Sequence, residues 1–281
     1  MGGGDTVPSL SDLLGQWRDD LAAWAIPDDI TAAVPDSPWV LPRQVFARRA
    51  DRLRRDPSGP SFQREWDTLD PPGSVLDVGA GAGAACLPLA PRATALTAVD
   101  SDPGLLGLLA ERARAAGLEP RLVAGPWPEA AAQTAPADVV TCHNVLYNVP
   151  DLGPFLAALT GHARRRVVVE LTAAHPLTAL NPLWLRFHGL QRPERPIAAD
   201  VLAILDAMGV RAGHTNWDRP GEADYTTMQE LAEVTRRRLC LPADRTAEVE
   251  AALRDTGPTD HAADLGTAGR AVVTIWWEGS A

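Results

Sequence analysis

The sequence contains no lysine, so all 26 of its basic residues are arginine. A Walker A phosphate-binding loop needs a Gly-Lys-Ser/Thr sequence, and Schiff-base or pyridoxal-phosphate chemistry needs a lysine amine. The absence of lysine therefore excludes P-loop nucleotide hydrolases and enzymes that hold a substrate or cofactor through a lysine imine.

Cysteine is almost as scarce, with three residues among 281. Cys86, Cys142 and Cys240 lie in segments predicted to be helix or strand, and their spacing does not resemble that of a metal site. We interpret them as small, buried apolar residues in a reducing compartment, and we expect neither a disulfide nor a zinc site.

Long apolar segments are also missing. No run of about 18 apolar residues predicts a transmembrane helix. Residues 1–5 lack the basic start and the apolar stretch of a signal peptide. These absences predict a cytoplasmic protein without a membrane partner.

Acidic residues outnumber the arginines, 36 to 26, which gives a formal net charge of −10. Nucleic-acid binding normally needs a basic surface that displaces phosphate counterions. Arginines do cluster at residues 48–55 and 164–166, and we interpret the first cluster as the solvated face of a helix. We therefore do not expect nucleic acid as a partner, although an RNA substrate stays open as an alternative.

The most informative stretch is an apolar strand followed by a glycine-rich turn. Val75–Val78 has the composition of a buried strand, Gly79, Gly81 and Gly83 follow at every second position, and Ala84–Ala90 is predicted to be a helix. A strand, a glycine-rich turn and a helix form the place where an open α/β sheet binds a nucleotide-like ligand. Glycine suits this turn because a side chain would hold the backbone away from the ligand.

Two ligand classes fit this turn. Gly79, Gly81 and Ala84 satisfy the dinucleotide fingerprint, and Asp100 ends the next strand at the distance which that fingerprint expects. An NAD(P)-dependent oxidoreductase is therefore one alternative. Asp77 argues against it, as does the lack of lysine, which rules out the Tyr-x-x-x-Lys pair of one large oxidoreductase class.

The spacing of Asp77 and the three glycines resembles motif I of the class I S-adenosylmethionine (SAM)-dependent methyltransferases, in particular bacterial enzymes of small-molecule type. Val99–Asp102 resembles motif II of that family. The resemblance covers Gly73 to Arg166 well and the remaining sheet to Trp277 more loosely. It implies SAM as the cofactor and S-adenosylhomocysteine (SAH) as its product.

The resemblance also implies which residues contact the cofactor. Asp77 and the glycine-rich loop would hold the methionine part of SAM, Asp100 would accept from both ribose hydroxyls, and the adenine would lie after the third strand. Pro126 stands where many members carry an acidic residue, and Trp127 either stacks on the adenine or packs on a surface turn. The implied cofactor-binding residues are Asp77, Gly79, Ala80, Gly81, Gly83, Asp100, Ser101, Gly125, Pro126, Trp127, His143 and Asn144.

The alternation of strand and helix patterns predicts an α/β protein with a Rossmann-like, doubly wound and mostly parallel sheet of seven strands. Residues 1–70 are predicted to form a helical extension that either covers the cleft as a lid or packs beside the sheet. Residues 71–281 are then the SAM-binding domain, with insertions near 173–198 and 218–269. The apolar first insertion suits a hydrophobic substrate or a homodimer interface equally well.

We expect methyl transfer to a small-molecule acceptor without a metal ion. The enzyme has to align the acceptor with the methyl–sulfur bond, and alignment can supply much of the acceleration. By position His143, at the end of the fourth strand, is the favoured catalytic base, with His175 and His188 as rivals. A degenerate SAM-binding protein with a structural or regulatory role stays open as a further alternative.

Overall fold

The computed structural model describes residues 8–32, 34–35, 37–39, 41–219, 224–256 and 271–281. Seven strands form a single sheet in the order β3-β2-β1-β4-β5-β7-β6. The strands are Gly73–Val78 (β1), Ala93–Asp100 (β2), Arg121–Ala124 (β3), Ala137–His143 (β4), Ala163–Thr172 (β5), Gly213–Asp218 (β6) and Ala271–Glu278 (β7).

The first five strands pair in parallel, whereas β7 is antiparallel to both β5 and β6. The central strands are apolar and buried on both faces, as expected for a sheet covered by helices on two sides. Near the antiparallel edge, Val168 pairs with Trp276. The predicted Rossmann-like, mostly parallel, seven-stranded sheet is thereby confirmed.

Ten α-helices lie in the described part of the chain. They are Leu10–Ala22 (α1), Asp28–Thr31 (α2), Arg43–Arg55 (α3), Pro60–Thr68 (α4), Pro103–Ala115 (α5), Leu152–His162 (α6), Asn181–His188 (α7), Ala198–Ala207 (α8), Met228–Arg238 (α9) and Thr246–Thr256 (α10).

Helix α1 begins at a capping box, because the Ser9 side chain accepts from the Asp12 amide and the Asp12 carboxylate accepts from the Ser9 amide. The apolar stripe of α1 packs against the sheet side that also carries α6 and α8, with Trp17 fully buried there. The opposite face of the sheet is covered by α3 and α5. Apolar residues on both faces thus sandwich the sheet.

A separate apolar cluster joins segments that are far apart in sequence. Residues of the first predicted insertion (Trp184), of the second (Leu231, Leu253) and of the N-terminal extension (Val45) share it. The two insertions and part of the extension therefore pack on one another beside the sheet.

Two sequence predictions of local structure are wrong. Ala84–Ala90 forms turns and a single 3-10 turn at Leu87–Leu89, because Pro88 lacks the amide that an α-helix needs there. Helix α4 was not predicted; it starts at Pro60 after Gly59, whose φ is +93°. Residues 1–5, where the sequence shows no signal peptide, and residues 257–269, the end of the second predicted insertion, lie outside the described residues.

Candidate active site

A cavity of about 870 Å³ opens at the carboxyl ends of β1, β2 and β4. Sheet order reverses between β1 and β4, and such a switch point is where open α/β sheets bind their ligands. The wall opposite the sheet comes from the N-terminal extension, including Trp24 after α1, Phe46 on α3 and Glu65 on α4. Sheet and extension thus enclose one common space.

The glycine-rich loop forms the floor of this cavity at the end of β1. Gly79 and Gly81 have φ values of +72° and +53°, which L-residues rarely adopt. A Cβ on Gly79 would lie 2.3 Å from Cγ2 of Val145, whereas the nearest atom to a Cβ on Gly81 is Phe46 Cδ1 at 3.5 Å. The close contact with Val145 therefore disfavours a side chain at Gly79, in addition to the backbone conformation. At Gly81 the backbone conformation alone disfavours a side chain.

Asp77 lies beneath this loop and is 1% exposed. Its Oδ1 accepts from the Thr141 hydroxyl at 2.9 Å, and the buried Cys86 thiol lies beside the carboxylate. No N–H or O–H group of the described residues donates to the buried Oδ2. Burial raises the pKa of Asp77. A buried carboxylate oxygen without a donor is costly, so a cationic or hydrogen-bond-donating ligand in the cavity would stabilise it.

Asp100 ends β2 beside the same loop. Its Oδ2 accepts from the Gly81 amide at 2.7 Å and its Oδ1 accepts from the Asp102 amide at 2.8 Å. These bonds fix the carboxylate at the cavity wall next to Ser101, and each oxygen keeps capacity for a further donor. Asp102 has another role, because it caps α5 through the Gly104 amide at 2.8 Å.

The residues predicted to meet the adenine line the next part of the cavity, after β3. Gly125, Pro126 and Trp127 all contribute to its wall. The Trp127 side chain is buried, its Nε1 donates to the Phe155 carbonyl at 3.3 Å, and its ring meets His162 edge-on at 5.0 Å. Trp127 thus lies in a turn and packs against α6, as the structural alternative expects, and stacking on adenine stays a prediction.

His143 and Asn144 leave β4 at the centre of the cavity. Asn144 has a φ of +59°, a conformation that asparagine tolerates better than most residues. Its backbone N–H donates to the backbone carbonyl of Glu170 at 2.6 Å. Nε2 of His143 lies 2.8 Å from Oε1 of Glu65, whose side chain is 1% exposed. The Glu170 carboxylate pairs with Arg219 at 2.6 Å. We refer to these four ionic side chains (Glu65, His143, Glu170, Arg219) as the ion-pair cluster.

The ion-pair cluster shifts the protonation of His143. Burial by itself lowers the pKa of His143, but Glu65, Glu170 and Asp77 outweigh burial and raise the pKa to about 9. Burial raises the pKa of Glu65 to about 7, against the lowering effect of His143. The neighbouring carboxylates thus favour the imidazolium form of His143, whereas a general base has to be neutral.

The rival histidines differ from His143 in their surroundings. His175 is buried in the cavity wall, stacks on Trp24 at 4.0 Å and has its pKa lowered to about 3 by burial and by Arg192 and Arg238. It stays neutral but is a very weak base. His188 Nε2 donates to the Leu239 carbonyl at 2.7 Å, and the residue does not line the cavity.

Sequence reasoning placed the glycine-rich loop, Asp77, Asp100 and His143 around one cavity, and the structure brings them together. It missed Glu65, because a single glutamate within an unpredicted helix carries no motif. The available signal was Pro60 after a glycine, followed by apolar residues at helical spacing.

The described residues lack two kinds of feature, a metal-binding group and a membrane-spanning helix. No group of three or more His, Cys, Asp or Glu side chains is arranged there to hold a metal ion. Within those same ranges, no helix is long and apolar enough to cross a membrane.

Comparison with known proteins agrees with this geometry. Residues 75–165 match the family model described as a methyltransferase domain. No curated protein matches the sequence.

Solved structures with similar folds include a cyclopropane-fatty-acyl-phospholipid synthase-like protein from Lactobacillus casei. It is 18% identical, has a TM-score of 0.52, and the alignment covers 89% of this chain and 98% of that one. The plantazolicin methyltransferase BamL, solved with a desmethylplantazolicin analogue and SAH, is 13% identical with a TM-score of 0.50 and coverage of 95% and 99%. The YcgJ protein of Bacillus subtilis is 18% identical with a TM-score of 0.50 and coverage of 79% and 98%.

At these identities the solved structures establish the fold alone, while the family model identifies the part of the chain that holds the cavity floor. The predicted resemblance is confirmed: the chain carries a methyltransferase domain at residues 75–165 and has the Rossmann-like fold of the class I SAM-dependent methyltransferases.

Proposed function

We propose that this protein is a SAM-dependent methyltransferase that acts on a small-molecule acceptor within the cavity. The observation that carries the proposal is the buried Oδ2 of Asp77 beside the glycine-rich loop, to which no N–H or O–H group of the described residues donates. An ammonium group is the ligand that such an oxygen lacks, and SAM has one. NAD(P) offers no ammonium group to this position.

The remaining residues of the cavity floor fit the other parts of SAM. Asp100 would accept from the ribose hydroxyls, Gly79 and Gly81 line the position of the methionine part, and Trp127 borders the adenine position. When bound, SAM supplies a methyl group on a positively charged sulfur. The protein's own contribution is to bind, to orient the acceptor and to exclude water.

The enclosure of the cavity supports a small acceptor. Trp24, Phe46 and Phe62 of the extension face the sheet across it, so we propose that the extension acts as a lid. A nucleic acid would need an open basic surface, and the net charge of −10 opposes one. We propose transfer without a metal ion, because alignment of the acceptor with the methyl–sulfur bond can supply much of the acceleration.

Thermal unfolding in the presence of SAM, SAH, NAD or NADP tests the proposed cofactor. A ligand at about 100 times its dissociation constant adds roughly 2.7 kcal/mol of stability, a shift of a few degrees for a chain of this size. We expect SAM and SAH to raise the melting temperature and the two nicotinamide cofactors to leave it unchanged. A shift with NAD or NADP alone would contradict the proposal.

Release of SAH in the presence of a panel of small acceptors then separates an enzyme from a degenerate binding protein. A catalyst releases SAH only when a suitable acceptor is present. A protein that binds SAM and yet turns over no member of a broad panel would favour the structural or regulatory alternative.

A further inference from the structure

We propose that the methyl acceptor is an uncharged aromatic molecule, and that His175 binds it as a hydrogen-bond donor through Nε2. A carbonyl oxygen, an ether oxygen or a ring nitrogen of the acceptor would receive this hydrogen bond. The inference rests on the proposed methyltransferase function and names its substrate class.

The first support is the fixed position of the His175 ring in the cavity wall. The ring stacks on Trp24 with centroids 4.0 Å apart and meets Tyr147 edge-on at 5.1 Å. Trp24 Nε1 donates to the Arg195 carbonyl at 2.6 Å, and the Tyr147 hydroxyl donates to the Thr172 carbonyl at 2.7 Å. The three rings line the cavity and are at most 7% exposed. Packing and hydrogen bonds on both sides therefore hold the imidazole in one orientation.

The second support is the tautomer of His175, which the geometry determines. The Leu177 backbone N–H donates to Nδ1 at 3.3 Å, and a nitrogen that accepts a hydrogen bond carries no proton. The proton of the neutral imidazole is therefore on Nε2. No hydrogen bond within the described part of the chain engages Nε2, although the residue is only 6% exposed. Because a buried donor without a partner is costly, a ligand that accepts from Nε2 would be stabilised.

The third support is that the other rings of the wall present carbon to the cavity. Phe46, Phe62 and Trp217 line it and are half-buried. Trp217 Nε1 donates to the Thr274 hydroxyl at 3.0 Å, so the polar atom of this ring is already engaged within the protein. Its ring also packs on Gly59, where a Cβ would lie 2.7 Å from Cη2. A flat aromatic ligand makes the most favourable contact with a wall of such rings.

The fourth support is the pairing of charged side chains in the same part of the cavity. Within the ion-pair cluster, each carboxylate lies against a basic side chain. Arg49 and Arg52 pair with the buried Asp224, and Arg238 is itself buried. A charged acceptor would have to displace one of these partners to gain a counter-ion, whereas an uncharged acceptor has no such cost.

These features together would align the acceptor. The aromatic rings restrict the plane of a flat molecule, and the hydrogen bond from His175 fixes one of its atoms within that plane. Alignment of this kind is the contribution that methyl transfer needs from the protein.

Calorimetric titration of the full chain, saturated with SAH, with four naphthalenes of similar size tests the substrate class. 2-Acetylnaphthalene is uncharged and has a carbonyl, 2-naphthoate and protonated 2-naphthamidine are its anionic and cationic analogues, and 2-isopropenylnaphthalene lacks the accepting atom. We expect the ketone to bind roughly tenfold more tightly than either ion, because an ion loses its hydration. We expect it to bind about fivefold more tightly than the alkene, the effect of one hydrogen bond.

Binding of either ion as tight as that of the ketone, or no binding of the ketone, would overturn the uncharged aromatic site. Equal binding of ketone and alkene would overturn the role of His175. Failure of SAH to bind would instead count against the proposed function, so the two failures are distinguishable.

His175→Phe keeps a ring beside Trp24 and removes the donor. We expect this variant to bind the ketone about fivefold more weakly and the alkene as wild type does, because only the ketone loses a hydrogen bond. An unchanged preference for the ketone would contradict the proposal. The comparison of the four probes with wild type stands even if the variant does not fold.

Phe62→Leu tests the aromatic wall. It should weaken binding of the ketone about three- to tenfold, since an aromatic pair contributes more than its buried area. Phe187→Leu is the matched control, because Phe187 is also half-buried but does not line the cavity. Equal affinity of these two variants for the ketone would show that the probe does not contact the wall at Phe62.

Discussion

Gly79 and Gly81 are residues of the same loop with similar backbone angles but different surroundings. Both have positive φ, so alanine at either position strains the backbone by about 1 kcal/mol. Only at Gly79 does the new methyl group also meet a neighbour, Val145, at 2.3 Å. The two positions therefore separate the cost of conformation from the cost of close approach.

We predict that Gly79→Ala loses SAH binding and unfolds at a clearly lower temperature, while Gly81→Ala folds with a small loss of stability. Calorimetric titration with SAH and thermal unfolding measure the two effects. Equal losses in both variants would show that backbone conformation, and not contact with Val145, limits the loop.

His175 gives the protein a predictable acid sensitivity. Burial, with help from Arg192 and Arg238, lowers its pKa to about 3, from the ordinary value of 6.5 that applies to the unfolded chain. Between these values the unfolded chain binds the proton and the folded chain does not, so stability falls as pH falls from about 6.5 towards 3.

Replacement by phenylalanine keeps a ring stacked on Trp24 and removes the titrating group. We predict that His175→Phe loses less stability than wild type between pH 6.5 and pH 4, as measured by urea unfolding at several pH values. Parallel curves for the two proteins would show that His175 does not titrate in this range.

At the scale of elements, α3 and the segment that leads into α9 are joined by buried charge. The Asp224 carboxylate is 1% exposed and pairs with Arg49 and Arg52, and its carbonyl accepts from Arg48 at 3.0 Å. Arg48 also pairs with Glu230 at 2.6 Å. The prediction of a solvated arginine face holds for Arg54 and Arg55, which are exposed, and is wrong for the three paired arginines, because sequence alone does not show which distant carboxylates cover them.

We predict that Asp224→Ala destabilises the protein by about 3 kcal/mol, because it removes the buried carboxylate that pairs with Arg49 and Arg52. Urea unfolding measures the change. Glu119→Gln is the control, since its pairing with Arg114 lies on the surface and should contribute nothing measurable. Equal stability of the two variants would show that the charges of α3 are effectively solvated.

The elements that the sequence predicted best are those with their own local pattern. Strands β1, β2 and β4 are apolar runs between turn residues. The run Ala84–Ala90 has helical composition, yet its single proline and the short distance to β2 allow only one 3-10 turn. The helix predicted at Ala84–Ala90 was inferred from composition alone, and composition does not show how the chain has to turn before β2.

At the scale of the whole molecule, the floor and the roof of the cavity have different origins. Asp77, Gly79 and Asp100 lie within 24 positions of one another and follow a motif, so the sequence predicted the floor. The roof combines the N-terminal extension with the insertions, as in the contact of Trp24 with His175. No local pattern specifies such long-range packing, and for this reason the contact of Glu65 with His143 emerged only from the structure.

We propose that the cavity binds SAM through Asp77. Calorimetric titration of SAH into wild type, Asp77→Asn and Asp67→Asn tests this binding. A hydrogen bond to a charged group contributes about 1.5 to 3 kcal/mol, so we predict roughly 10- to 100-fold weaker binding for Asp77→Asn. The exposed Asp67→Asn should bind like wild type. Undiminished binding by a folded Asp77→Asn, or no binding of SAH by wild type, would contradict the account.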